Sequence, residues 1–339
     1  MSKAKKKMTM QQLAKLARVD VSTVSRALSD SPLVNAETRK LILKIALETG
    51  YVVNVAARNL RRRTSQTLGI VIPLRQESGQ TIADPFYLEM IGAVSHAAAL
   101  RGYDLIISLM QEEDEQAEQR LIQTGRADGL IVIGQAGRED RLNELGPLLD
   151  KIVVWGGRIG APRYTLVGSD NREGGRLAAE HLLSGGRKRI LFLGDVDLPE
   201  VALRFEGMKS ALCARGLTHH KKLLLPENFG GETSFEAVRT FARSKAAFDA
   251  IFAASDVLAI AAIHAVQSLG LSVPKDIAVV GYDNIGQSAL ATPAVTTVDQ
   301  HIKIGGEMMV DLLLRKLAGE KVRSQMTPTK LVVRKSSVA

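Results

Sequence analysis

From Thr67 onward the chain alternates short apolar runs with amphipathic stretches, and this alternation constrains the fold more than any other feature. The apolar runs predict strands over Leu68–Ile72, Leu105–Leu109, Leu130–Ile133, Ile152–Trp155, Ile190–Leu193, Ala250–Ala253 and Ile277–Tyr282. The stretches between them predict helices over Phe86–Leu100, Asp114–Thr124, Glu173–Leu183, Val201–Ala214, Phe235–Ala242 and Val257–Leu269. Such alternation predicts an α/β body of parallel sheets, doubly wound, with helices on both faces. Ligands of such sheets bind in the crevice at the carboxyl ends of the strands.

The N-terminal segment differs from this body in charge. Residues 1–63 contain 14 Lys and Arg against four acidic residues, a net charge of +10, whereas the rest of the chain sums to −1. A basic module on a nearly neutral body is typical of nucleic-acid binding, with a solubilising tail as the alternative.

The basic segment has the pattern of three short helices. Thr9 and Gln12 form a capping box that begins the first helix. A tight turn leads to a second helix, Val21–Leu28, and Asn35 caps a third, Ala36–Thr49. Three residues of the third helix are expected to face inward: Leu41, Ile42 and Ile45. The segment therefore predicts an all-α helix-turn-helix DNA-binding domain.

The second helix of this motif enters the major groove with its N-terminal residues. Val21, Ser22 and Arg26 occupy successive exposed positions and suit a thymine methyl, a base-edge hydrogen bond and a bidentate contact to guanine. Two further residues are predicted to contact phosphates: Ser25 and Thr9. The alternative for Arg26 is an ion pair with Asp30, four residues later.

The stretch NVAARNLRRR, residues 54–63, predicts a short basic helix capped by Asn54. Such a helix is too short to be stable alone in water. Leu60 lies among its arginines and suits a wedge in a minor-groove base step, or alternatively a contact with the neighbouring domain.

The residues that carry a family resemblance in this segment are Met8–Arg26, Leu28, Asn35–Arg39, Gly50, Tyr51, Asn54 and Ala57 to Leu60. The chain resembles the lac-repressor (LacI) family of transcriptional regulators over nearly its whole length. The resemblance implies that Val21 and Ser22 read bases with Arg26 beside them, and that Ala57 and Asn54 belong to a DNA-contacting hinge. It also implies that Leu60 and its copy from a second subunit open the centre of the operator.

Two positions depart from the family pattern. Arg18 stands where the turn commonly has Gly, which predicts a left-handed non-Gly residue at a cost of about 1 kcal/mol. Val53 stands where Pro often precedes the hinge asparagine. Neither departure removes a DNA-contacting group.

In the body the resemblance rests on ADPFY, VGSDNREGG, RFEGM, SDVLAIAAI, VPKDIAVVGYDN and PAVTTVDQ. It implies a periplasmic-binding-protein-like fold of two subdomains joined by three crossovers. The expected domains are residues 1–53 for DNA binding, 54–67 for the hinge, and 68–339 for effector binding and dimerisation. Within the last domain, the N-subdomain is expected at 68–163 and 298–324, and the C-subdomain at 164–297 and 325–339.

Candidate effector residues follow from the same resemblance. Arg204 begins an R-x-x-G motif and would clamp hydroxyls or a carboxylate, or else form an ion pair in the crevice. Asp283 ends a strand and would accept two sugar hydroxyls, whereas Asp256 begins a helix and is either a ligand residue or an N-cap. The aromatic candidates are Phe86, Phe229 and Trp155, and Trp155 is alternatively a core residue.

Aromatic rings combined with Arg and Asp are the usual makeup of a carbohydrate site, so we expect a sugar or oligosaccharide effector. The sequence leaves open a purine or another metabolite that acts as a corepressor. No cofactor or metal is expected. The expected function is a sequence-specific transcriptional regulator, a repressor of carbohydrate-utilisation genes that a sugar releases from its operator.

Enzymes and transport proteins are the rival classes. The chain contains no G-x-S-x-G, G-x-x-x-x-G-K-[ST] or H-E-x-x-H motif, which argues against an enzyme. A transport-type sugar-binding protein would carry a secretory signal and no DNA-binding module. The single cysteine and the absence of an apolar membrane-length run predict a cytoplasmic protein. The chain ends soon after its last strand without a heptad tail, which predicts a homodimer.

Overall fold

A computed structural model of the protein describes residues 8–51, 64–74, 81–110, 117–136, 139–227, 230–244 and 248–338. The chain forms two compact units, Met1–Ser65 and Gln66–Ala339. Four residues with predicted roles lie outside the described residues: Asn54, Ala57, Leu60 and Phe229. No helix within the described ranges is long and apolar enough to cross a membrane.

Over residues 8–51 the first unit contains three helices, α1 (Met10–Ala17), α2 (Val21–Leu28) and α3 (Ala36–Thr49). The predicted capping box is present, because the Gln12 amide donates to Thr9 Oγ1 at 3.3 Å and the Thr9 amide donates to Gln12 Oε1 at 2.9 Å. Asn35 Oδ1 accepts from the Thr38 amide at 2.7 Å and caps α3. One small core holds the helices together, with three fully buried residues at its centre: Leu13, Val24 and Ile42.

Two expectations for this unit have different outcomes. Arg18 has φ +54° and ψ +41°, which confirms the left-handed residue predicted for the turn. Leu41 was expected to face inward, but its side chain is 47% exposed. Ile42 and Ala46, four residues apart, fill the core from α3, so the apolar stripe of this helix is too narrow to include Leu41.

The described residues of the second unit contain twelve strands: β1 Thr67–Pro73, β2 Asp104–Met110, β3 Gly129–Ile133, β4 Ile152–Trp155, β5 Thr165–Ser169, β6 Ile190–Leu193, β7 Leu224–Leu225, β8 Ala250–Ala253, β9 Ala278–Asp283, β10 Thr296–Asp299, β11 Gln325–Thr327 and β12 Lys330–Val332. Its α-helices are α4 Pro85–Ala99, α5 Ala117–Gln123, α6 Glu139–Asn143, α7 Asn171–Ser184, α8 Pro199–Ala214, α9 Gly231–Arg243, α10 Asp256–Gln267, α11 Gly286–Leu290 and α12 Ile302–Leu317. Short 3₁₀ helices span Gly146–Lys151 and Lys221–Leu223.

The strands form two sheets of the same topology. The first has the order β2-β1-β3-β4-β5-β11 and is parallel throughout, and the second has the order β7-β6-β8-β9-β10-β12 with only β12 antiparallel. Along β1, Leu68 and Ile70 pack with α4 and α12, whereas Val71 packs on the opposite face with α5 and α6. Helices on both faces of parallel sheets confirm the predicted doubly wound body.

The observed strand pairing moves the expected subdomain boundaries. Strands β5 and β11 were both assigned to the C-subdomain, but β11 pairs with β5, and β5 pairs with β4, in the first sheet. Strand β10 pairs with β9 and β12 in the second sheet, although its last two residues were assigned to the N-subdomain. The crossovers therefore follow β5, β10 and β11. The pairing partner of a strand decides its sheet, and the motifs used for the expected boundaries do not contain that information.

Candidate functional site

The exposed side of α2 carries the residues predicted to read DNA bases. Val21, Ser22 and Arg26 are exposed, and Ser25 is half-buried beside them. Val24 and Ala27 bury the opposite side of the helix in the core. The helix therefore packs on its own unit through one face and presents short donors and one guanidinium on the other.

Arg26 does not form the ion pair that was its alternative interpretation. Arg39 of α3 binds Asp30 instead, with Nη1 at 2.7 Å from Oδ1. Within the part of the chain that the structure describes, no acidic side chain pairs with Arg26. Its guanidinium is therefore available for an external acceptor. Thr9, also exposed, stands at the start of α1.

The second candidate site is a cleft between the two sheets. In each sheet the strand order reverses between two neighbouring strands, β1 and β3 in the first and β6 and β8 in the second. Ligands of doubly wound sheets bind outside the strand ends at this switch point. Pro73 lines the cleft at the end of β1, Gln135 lines it just after β3, and Arg204 lines it from α8, which follows β6. The space between its lining residues amounts to about 690 Å³, a volume that includes solvent open to the exterior.

Aromatic rings form one wall of the cleft. Phe86 and Tyr87 stand in the first turn of α4, where Asp84 Oδ1 accepts from the Phe86 amide at 2.9 Å and caps the helix. Trp155 ends β4, and its ring centroid lies 6.4 Å from that of Phe86. Trp155 is only 4% exposed and also packs against Gly305 of α12. It is therefore both a core residue and a residue of the cleft wall.

The polar wall contains a buried pair of opposite charges. Arg204 Nη1 lies 4.0 Å from Asp283 Oδ1, and its guanidinium carbon lies 3.8 Å from the ring centroid of Tyr282. Arg204 also donates to Asn171 Oδ1 at 2.8 Å and to the Ala254 carbonyl at 2.5 Å. These bonds fix the guanidinium at the edge of the cleft. Arg204 therefore both lines the cleft and lies within ion-pair distance of Asp283.

Burial sets the protonation of the carboxyls in this cleft. It raises the pKa of Asp283 well above its usual range, although the Arg204 charge opposes the shift. Burial also raises the pKa of Glu200 and of Asp84, which line the cleft from α8 and from the N-cap of α4. Carboxyls of this kind exchange hydrogen bonds with hydroxyl groups and take up protons readily.

Asp256 is not brought to the cleft. It is fully buried at the first position of α10, and Ser255 is the N-cap, because its hydroxyl accepts from the Leu258 amide at 3.2 Å. Asp256 Oδ2 accepts from the Ile285 amide at 3.0 Å. That bond anchors the loop after β9, where Asp283 and Asn284 have φ of +112° and +60°. Asp256 thus supports a strained segment behind Asp283.

Five cleft residues with polar or aromatic side chains were missed by the sequence reasoning: Asp84, Tyr87, Gln135, Glu200 and Gln300. Asp84 precedes a Pro at the start of a helix, which is a detectable capping signal. Gln135 follows a predicted strand, so its position at a strand end was detectable as well. Gln300 follows β10, which the apolar pattern did not predict.

A helix-turn-helix unit followed by two doubly wound subdomains with a cleft at their strand ends defines the class of ligand-responsive, DNA-binding regulators. Residues 9–54 match the family model described as bacterial regulatory proteins, lacI family, and residues 179–337 match a periplasmic binding protein-like domain. The chain is 31% identical over 335 residues to the HTH-type transcriptional regulator CelR of Thermobifida fusca, covering 97% of this chain and 98% of the relative.

Solved structures agree with this likeness. The complex of the transcriptional regulator CelR with cellobiose has a TM-score of 0.68 and 29% identity, covering 98% of this chain and all of that one. The lac repressor dimer bound to operator and the anti-inducer ONPF has a TM-score of 0.84 and 24% identity over the same share of each chain. This likeness shows that the two chains share a fold. The protein belongs to the lacI family of bacterial regulatory proteins and is a DNA-binding transcriptional regulator. Its relatives of this kind are regulators and not enzymes.

Proposed function

We propose that this regulator is a repressor of carbohydrate-utilisation genes that a sugar in the cleft releases from its operator. It acts as a homodimer in the cytoplasm. The observation that carries the proposal is the cleft itself, with the rings of Phe86 and Trp155 on one wall and the Arg204–Asp283 pair on the other. Aromatic faces bind the apolar face of a pyranose, and a buried guanidinium and carboxyl bind its hydroxyls in defined directions.

On DNA, each subunit of the proposed dimer places α2 in a major groove. Val21, Ser22 and Arg26 contact base edges, which fits their exposure and the absence of an Arg26–Asp30 pair among the described residues. Ser25 and Thr9 contact phosphates. The hinge contacts remain sequence-based proposals, in the minor groove at the operator centre: Asn54, Ala57 and Leu60.

Two of the solved structures support a saccharide effector and a dimer, whereas PurR of Pasteurella multocida, 30% identical over 340 residues, favours the purine alternative. One related regulator, CelR, is known in complex with cellobiose, and the lac repressor is known as a dimer on operator DNA. These are properties of those proteins, and their extension to this chain is part of the proposal. The cleft suits the same chemistry, because a disaccharide offers both ring faces and many hydroxyls.

The test is calorimetric titration with a panel of mono- and disaccharides, cellobiose among them, and with purines, while the fluorescence of Trp155 is recorded. Trp155 is the only tryptophan, so its emission reports directly on the cleft. We expect a sugar to bind with a fluorescence change. Asp283→Asn should abolish that binding, whereas Asp197→Asn, on an exposed residue that does not line the cleft, should leave it unchanged.

Binding of purines alone would contradict the sugar proposal. The protein would still be a regulator of this family, but of the corepressor type, in which the ligand strengthens binding to DNA.

A further inference from the structure

Gln300 makes an unusual set of hydrogen bonds directly after β10. Its side-chain Nε2 donates to Asp283 Oδ1 at 2.5 Å, and its Oε1 accepts from Ser169 Oγ at 2.8 Å. Its main-chain carbonyl accepts from Thr327 Oγ1 at 2.8 Å. Gln300 is only 2% exposed, and Ser169 and Thr327 are equally buried. One residue thus joins a charged group of the cleft to two distant segments of the chain.

Those segments are the crossovers between the subdomains. Ser169 ends β5 where the chain first leaves the N-subdomain, Gln300 follows β10 where it returns, and Thr327 ends β11 where it leaves again. Any rotation of one subdomain against the other must be absorbed by the backbone at these three places. The bonds of Gln300 connect all three within one buried cluster.

The orientation of the Gln300 amide is set by chemistry. In the structure the NH₂ group faces Asp283 and donates to it, and the carbonyl oxygen is left to accept from the Ser169 hydroxyl. A ligand hydroxyl that competes for Asp283 Oδ1 weakens the bond to Nε2. The planar amide then moves as one group, so its Oε1 also moves and the hydrogen bond from Ser169 Oγ changes.

We infer that Gln300 is the positioning residue that couples occupation of the cleft at Asp283 to the geometry of the three crossovers. This inference rests on the proposed function, because it requires a ligand that acts through the cleft. In this scheme Gln300 lines the cleft and carries the coupling between the ligand and the crossovers. Its role differs from that of Asn171, which is bound to Arg204 and contacts only the first crossover.

The test measures sugar affinity and operator release separately. The probe is cellobiose, or the sugar of the panel that the wild type binds most tightly. Gln300→Leu has a similar volume but no hydrogen-bonding groups. Because Gln300 lines the cleft, each variant is measured at a sugar concentration that saturates that variant, and we expect the ratio of operator Kd with and without sugar to fall from roughly 5- to 150-fold to near one in Gln300→Leu.

Thr329→Val is the matched control. Thr329 Oγ1 accepts from the Asp170 amide at 3.0 Å, so it joins two crossovers without a bond to Asp283. The control should keep the full operator ratio. If the crossovers only need to be tightly packed, the operator ratio should fall in both Gln300→Leu and Thr329→Val. That result would overturn the inference.

Gln300→Glu adds a readout that a packing role would not change. At pH 8 two ionised carboxylates at positions 300 and 283 cannot hydrogen-bond and repel each other, whereas at lower pH one proton shared between the two carboxyls restores a hydrogen bond. The operator ratio of this variant should be lost at pH 8 and recover toward pH 5.5, relative to wild type measured in parallel. The parallel series corrects for the other titratable or charged groups near this position: Asp283, Asp256, Arg204, Asp299 and His301.

Two results would overturn the inference. In one, Gln300→Leu at saturating sugar releases operator like wild type, and in the other it binds no sugar at all, which would make Gln300 a ligand-binding residue and not a coupling residue. If instead the wild type itself binds no sugar, or binds it without any effect on operator, the proposed function fails first and the inference fails with it.

Discussion

At the scale of single residues, Arg26 is the side chain most directly available to a DNA base, because Arg39 holds the acid that would have paired with it. A bidentate contact to guanine contributes about 1–3 kcal/mol of discrimination. Arg26→Ala should therefore weaken binding to an operator selected from random duplexes by roughly 5- to 150-fold, with little effect on unrelated DNA. Fluorescence anisotropy at one fixed salt concentration measures both.

Lys40 provides the control for this prediction, since it is an exposed cation on α3. Lys40→Ala should reduce the affinity for both DNAs by a similar factor, as expected for the loss of one charge. Equal losses for both DNAs in Arg26→Ala would mean that Arg26 contacts phosphate and does not read sequence.

Asp256 makes stability depend on pH. Burial raises its pKa to about 7, although hydrogen bonds from Thr297, Ile285 and Ser288 partly oppose the shift. Between about pH 4 and pH 7 the folded protein holds a proton that the unfolded chain has lost. The stabilisation is therefore present at low pH, and the unfolding free energy falls as pH rises through this window, by up to about 1.4 kcal/mol per unit.

Urea unfolding of the wild type and of Asp256→Asn between pH 5 and pH 8 tests this sign. The Asn variant cannot ionise, so its unfolding free energy should decline less steeply with pH. Asp283 shifts in the same direction and should leave a residual slope. Parallel curves for the two proteins would show that Asp256 does not titrate in this range.

At the scale of elements, the wall of the cleft depends on close packing between α12 and β4. Gly305 of α12 has no room for a side chain, because an added Cβ would overlap the six-membered ring of Trp155. Gly305→Ala should displace that ring, reduce the unfolding free energy by about 1–3 kcal/mol, and shift the tryptophan emission. Gly92→Ala is the control.

Gly92 lies on the exposed side of α4 with open space around its Cα, so alanine there should stabilise the protein by about 0.5–1 kcal/mol and leave the emission unchanged. Fluorescence-monitored unfolding gives both quantities in one experiment. An unshifted emission in Gly305→Ala would mean that α12 moves away instead of the ring.

At the scale of the whole molecule, the strands that could be predicted from the sequence are those that are buried on both faces. Apolar runs such as Leu130–Ile133 must be covered on both sides, so central strands were located to within about a residue. Strands β5 and β10 contain Thr, Ser or Asp, and β7, β11 and β12 are only two or three residues long, so none of them has a clear apolar pattern. Their sheets are decided by pairing with strands far away in the chain.

The site was predictable to a similar degree. Phe86, Trp155, Arg204 and Asp283 were proposed separately and line one cleft. Asp256 shows the limit, because a carboxyl at a helix start gives the same sequence pattern whether it faces a cleft or a buried loop. The role of Gln300 was not predictable from the sequence, because nothing marks an uncharged amide as a site residue until the segments that surround it are known.

The central claim is that a sugar in the cleft weakens binding to operator. The most direct measurement is the Kd for a selected operator duplex, by fluorescence anisotropy at fixed salt, over increasing concentrations of the sugar found by calorimetry. The account predicts a saturable loss of operator affinity of roughly 5- to 150-fold, and an equal loss of sugar affinity when operator is bound, because coupling is reciprocal. An operator Kd that stays constant, or that becomes tighter as the sugar binds, would contradict it.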